Sequence, residues 1–152
     1  MRLGLYLWLS AIRGISKQQK ERSLSAFYWG SLRKTVQGAI ERGQIGRPVS
    51  LRMTVHGPGS EVERQELEAE LREAACAWFG GPCESDYTAG GDGRPAVVAL
   101  KWAGGQSAIL SVSTGAGRTG GNMALLGSNG AIYHEIDPVA DGESRTFQAE
   151  SG

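Results

Sequence analysis

The chain has 152 residues, 40% hydrophobic and 21% charged, the balance of one globular domain and not of a disordered segment. No apolar run reaches the ~18–20 residues of a membrane-spanning helix, and the 23 glycines, about twice the average share of roughly 7%, form no repeat and imply many tight turns. The net charge of zero hides halves of opposite sign: residues 1–56 carry ten Lys/Arg and two acids, residues 57–152 six and fourteen. The basic residues lie singly among apolar ones, so neither nucleic acid nor membrane is an expected partner.

Residues 1–26 read as an N-terminal strand and connection, with Gly4 to Ser10 (GLYLWLS) as the strand. Met1 to Ile12 has the outline of a signal peptide, but Arg13, Lys17, Lys20 and Arg22 stand where small residues should precede a cleavage site. Cys76 and Cys83 form neither a CxxC pair nor a disulfide framework, so a reducing cytoplasm is the expected location.

Leu32, Val36, Ala39 and Ile40 recur at helical spacing, and Gly43 sits where a left-handed glycine would end that helix. Val49, Leu51, Met53 and Val55 then alternate with polar residues, the period of a strand. Ser60 and Glu63 make a capping box, which starts a second helix with the apolar stripe Leu67, Leu71, Ala74 and Trp78; Gly80-Gly81-Pro82 ends it. Carboxylate pairs such as Glu66 and Glu70 share a face of that helix and are candidates for metal or proton chemistry, against the simpler reading of a solvated acidic face.

Beyond Pro82 the pattern is all strand: Glu84–Ala89, Ala96–Ala103, Gln106–Ser113, Met123–Leu126 and Ala131–Ile136, with turns at Gly104-Gly105 and Asn129-Gly130. The expected fold is α+β, two or three helices on one face of a largely antiparallel sheet of about six strands. Residues 137–152 read as a polar tail. Gly115 to Gly120 spells GxGxxG after a strand, but the strand and turn that follow leave no room for the helix a dinucleotide site needs, so it reads as a loop. HExxH, Walker A and GxSxG are absent, His56 and His134 lack partners at ligand spacing, and no catalytic, cofactor-binding or metal residue is assigned.

Three segments carry a resemblance. Leu32 to Met53 (LRKTVQGAIERGQIGRPVSLRM), Ala77 to Ser85 (AWFGGPCES) and Ala124 to Ile132 (ALLGSNGAI) resemble, in order and spacing, the C-terminal α/β domain of the Gfo/Idh/MocA family of NAD(P)-dependent oxidoreductases, over residues 27–136. The resemblance implies an open-faced sheet that serves as a subunit interface. It also implies an N-terminal Rossmann domain with a Glu-Lys-Pro motif, which these residues do not contain, and an Asp-x-Gly-x-His helix motif, whose places hold Glu66, Glu68 and Glu70. The family's paired arginines before the first helix are likewise replaced, with Tyr28 and Trp29 near there.

Taking Gly104-Gly105 as a two-residue turn puts Val98, Leu100 and Trp102 opposite Ser111, Ile109 and Ser107 on one face. Those six residues are the expected interface of a homodimer, since two helices cover only one face. The function expected is that of a non-catalytic oxidoreductase C-terminal-like domain, acting by self-association or as accessory subunit to a Rossmann-domain partner. It needs no cofactor itself and meets NAD(P) only through such a partner. The main alternative is the substrate-binding half of a split NAD(P)-dependent sugar or polyol oxidoreductase; a ligand-binding module and a truncated remnant are the others.

Overall fold

The computed structural model describes residues 29–116, 120–136 and 148–150. Contacts divide the chain into Met1–Thr35 and Val36–Gly152. Residues 29–41 are helical, α1, and account for every described residue of the first unit. The Gly4–Ser10 strand and the 1–26 boundary lie outside the described residues.

The second unit continues as β1 (Pro48–Pro58), α2 (Glu61–Trp78), β2 (Ser85–Gly90), β3 (Ala96–Lys101), β4 (Ser107–Gly115), β5 (Gly120–Gly127), β6 (Gly130–Ile136) and β7 (Gln148–Glu150). The strands form one sheet in the order β2-β3-β4-β1-β5-β6-β7. Only the β1–β4 pair is parallel, so the α+β expectation holds. The seventh strand comes from the segment read as a polar tail: Gln148 to Glu150 pairs with Ala131 to Tyr133, too short a run to show a period in the sequence.

Both helix ends follow from their glycines. The Gly43 amide donates to the Ile40 carbonyl and that of Gln44 to Ala39, and the same pair of bonds runs from Gly80 to Ala77 and from Gly81 to Cys76. Each is a Schellman cap with a left-handed glycine, φ +71° at Gly43 and +84° at Gly80. At the start of α2 the Ser60 amide donates to Glu63 Oε2 at 2.6 Å and the Glu63 amide to Ser60 Oγ at 3.4 Å. The capping box is therefore present as read, and Gly59 alone separates β1 from its Ser60.

Strand alternation fixes the core. Leu51, Met53 and Val55 of β1, Leu110 and Val112 of β4, Met123 and Leu125 of β5 and Ile132 of β6 are buried. So are Leu71, Ala74, Ala75 and Trp78 of α2, which lies against β4. In the α1–β1 turn the Ile45 carbonyl accepts from the Asn129 amide, the Arg47 carbonyl from the Ser128 amide, and the Arg47 amide donates to Ser128 Oγ, at 2.8–2.9 Å. That turn is thereby locked to the β5–β6 hairpin, with Ile45 fully buried beneath it.

The lock demands close approach of two backbones: a Cβ on Gly127 would overlap the Ile45 carbonyl, whereas one on Gly115 meets nothing within 4 Å. Gly127→Ala is expected to cost about 2–3 kcal/mol of unfolding free energy. Gly115→Ala should stay within about 0.5 kcal/mol of the parent. Urea denaturation of both variants checks this, and equal midpoints would contradict the lock.

Candidate functional site

The β3–β4 hairpin decides which side chains the sheet turns outward. Its loop has three residues, not two. The Trp102 amide donates to the Gln106 carbonyl and the Gly105 amide to the Trp102 carbonyl, both at 3.0 Å, with Gly105 left-handed at φ +86°. A turn followed by a left-handed glycine is the usual three-residue hairpin connection. Val98 consequently faces Leu110, Leu100 faces Ala108, and Ala99 faces Ile109.

This register corrects the expected interface. Val98, Leu100 and Trp102 are 0%, 3% and 5% exposed and belong to the helix-side core, while Ile109 is 50% exposed and shares the opposite face with Ser107 and Ser111. The six residues therefore do not share a face. A loop one residue longer slips the register by one and sends every side chain of the facing strand to the other side. Trp102 is held in the core by its Nε1, which donates to the Gly81 carbonyl at 2.8 Å, and by Phe79, whose ring centroid lies 4.5 Å away.

The open face is read from register. Across its middle run Tyr87 of β2, Ala99 of β3, Ile109 of β4, Arg52 of β1, Ala124 of β5 and Tyr133 of β6, each opposite the next. Val97, Thr54, Asn122 and Glu135 lie one step along, and Lys101, Ser50 and Leu126 one step back. At one end His56 Nδ1 and Ser113 Oγ form a 2.9 Å hydrogen bond. That bond joins neighbouring strands; among the described residues no carboxylate backs the imidazole as a charge-relay site would require.

The helix side holds charge of a different kind. Arg64, 6% exposed, donates to Glu61 at 2.6 Å and to Glu68 at 2.7 Å; Glu68 also meets Arg72 at 3.1 Å, and Arg72 reaches Asp86 at 2.9 Å and Thr88 Oγ1 at 2.6 Å. This chain of alternating charges ties α2 to the edge strand β2. The Arg64 hydrogen bonds hold Glu61 down from the usual 4.5 to about 2, with the amides of Gly93 and Asp92 adding to the effect. Glu61 and Glu68 in turn hold the Arg64 guanidinium still more firmly protonated. Burial works against the charge on Arg72, and Asp86 and Glu68 outweigh it. Burial pushes the His134 imidazole down.

Arg64 was missed in the sequence, although acids three residues before and four after it are the helical signal for such a hub. Glu66 and Glu70, the candidate pair, are exposed, and Glu68 between them is taken up by two arginines. Among the described residues no group of three His, Cys, Asp or Glu could hold a metal ion, and no helix is long and apolar enough to cross a membrane. Of the GxGxxG run, Gly115 ends β4 and Gly120 starts β5, while 117–119 lie outside the described residues.

No family model matches the sequence, and no curated protein matches it. Solved structures do resemble the fold. A probable dehydrogenase from Thermotoga maritima matches with a TM-score of 0.58 and 18% identity over 78% of this chain and 43% of that one. The myo-inositol 2-dehydrogenase of Lactobacillus plantarum matches at 0.54 and 14% over 73% and 40%. A levoglucosan dehydrogenase solved with NADH and levoglucosan matches at 0.51 and 15% over 77% and 43%. This chain shares its fold with part of each of these dehydrogenases, as the resemblance of the three segments implied. The chain spans less than half the length of these structures.

Arg64→Ala is expected to lower stability at neutral pH by about 2–3 kcal/mol, because it strips charged hydrogen bonds from a buried site. The Glu61 pKa is depressed in the fold, so its contribution is complete above the unfolded value of 4.5 and is lost as pH falls toward about 2. Arg64→Ala should flatten that acid limb in thermal melts between these pH values. An unchanged acid limb would contradict the assignment.

Proposed function

We propose that this domain works by association, binding a second copy of itself through the open sheet face, and does not catalyse a reaction on its own. One observation carries the reading. Of the seven large apolar side chains exposed among the described residues, five, namely Tyr87, Val97, Ile109, Leu126 and Tyr133, sit on the face away from α2. Soluble monomers rarely leave an apolar patch of more than a few hundred Å² open, and a twofold dimer covers the same patch in both copies at once. The thiols of Cys76 and Cys83 are free, which fits a reducing cytoplasm.

A second reading, the substrate-binding half of a split NAD(P)-dependent sugar or polyol oxidoreductase, draws support from the neighbour solved with NADH and levoglucosan, which is more than twice as long as the matched part. It weighs less, because Glu70 stands where the family's motif has its histidine. On this reading NAD(P) binds only when a Rossmann-bearing chain is supplied; calorimetric titration of NADH into the domain alone should then give no saturable heat.

The association reading is tested at Ile109, half exposed in the middle of the face. The parent chain should sediment as a dimer at tens of micromolar, and Ile109→Glu as a folded monomer, since a buried unpaired carboxylate costs several kcal/mol. A monomeric parent, or a variant that remains dimeric, would overturn it.

A further inference from the structure

The middle row of the open face is apolar apart from one residue. Arg52 projects from β1, the fourth of the seven strands, between Ile109 and Ala124, so any partner that covers the middle of the sheet must take this guanidinium out of water. Desolvating it is costly unless an anion meets it. Among the described residues nothing does. The ion pairs along α2 and from α2 to β2 leave out Arg52 and Glu135.

Glu135 is the carboxylate of β1 to β6 that register places on the same face. It lies opposite Asn122, which lies opposite Thr54, two residues along β1 from Arg52. Two strand spacings and two residues put the Arg52 and Glu135 backbones about 12 Å apart in one copy. Both side chains are exposed. Arg52 and Glu135 thus lie on either side of β5, whose residues there are Asn122 and Ala124, and this part of the face complements itself when turned over.

We propose that in the dimer Arg52 of each copy pairs with Glu135 of the other, across a twofold axis that passes over β5. The inference rests on the association reading and adds to it the register of the two sheets. A twofold interface makes each contact twice, so one residue pair supplies two ion pairs. The pairing meets the desolvation of Arg52, and it excludes sheet-to-sheet arrangements that bring the two Arg52 side chains together.

Sedimentation equilibrium on the parent, Arg52→Glu, Glu135→Arg and the double variant tests it. Both positions are exposed, so the variants should keep the parent's far-UV dichroism. Each single reversal should raise the dimer dissociation constant by about 100-fold, and the double reversal should bring it back close to the parent value. Lys101→Glu, on the same face but nearer its edge, should change it by no more than about threefold. Single variants that dimerise like the parent, a double variant no tighter than the singles, or a Lys101→Glu effect as large as that of Arg52→Glu would each overturn the pairing while leaving the association reading standing. A monomeric parent would overturn both.

Discussion

Everything that the sheet presents to solvent depends on the register of one hairpin. The three-residue loop Ala103-Gly104-Gly105, closed by the Trp102–Gln106 bond, seats Val98 against Leu110 and Leu100 against Ala108 on the side of α2. Shortening the loop by one residue would bring Ile109 into the core and push Leu110 out. Trp102 secures the choice, because its indole nitrogen bonds the Gly81 carbonyl just beyond the cap of α2 and its ring meets Phe79. The hairpin and the end of the helix thus fix one another.

A second constraint sits at the other side of the sheet. β1 runs between β4 and β5, parallel to one and antiparallel to the other, and enters the sheet from the Ile45–Gly46 turn. That turn is tied by three hydrogen bonds to Ser128 and Asn129. With both neighbours fixed, Arg52 at the centre of β1 has no freedom to leave the open face. The Glu61–Arg64–Glu68–Arg72–Asp86 chain does the corresponding work for β2, the strand at the sheet's edge.

Much of this was legible in the residues. Capping boxes and left-handed glycines are local, and Ser60, Glu63, Gly43 and Gly80 lie where their chemistry requires. The alternation of β1 and the resemblance in Leu32–Met53 and Ala124–Ile132 foretold the helix-strand entry and the late hairpin. Register was not legible, since Gly104-Gly105 suits a two-residue turn as well as it suits the end of a three-residue loop, and the core's demand for Trp102 decides between them. β7 was invisible for a related reason: three residues carry no period, and their pairing with β6 is non-local. Arg64 was passed over because a charged residue is read as solvated by default, while its burial comes from acids on the same helix.

One face of this sheet is core, and the proposal is that the other is a contact surface for a second copy. Hydroxyl-radical footprinting of the parent chain at dimer-forming and at highly dilute concentrations tests it side chain by side chain. The account expects Ile109, Leu126 and Tyr133 to be shielded at the higher concentration, while Val62, exposed on α2, is labelled equally at both. Equal labelling of Ile109 and Tyr133 at the two concentrations, or shielding centred on Val62, would contradict it.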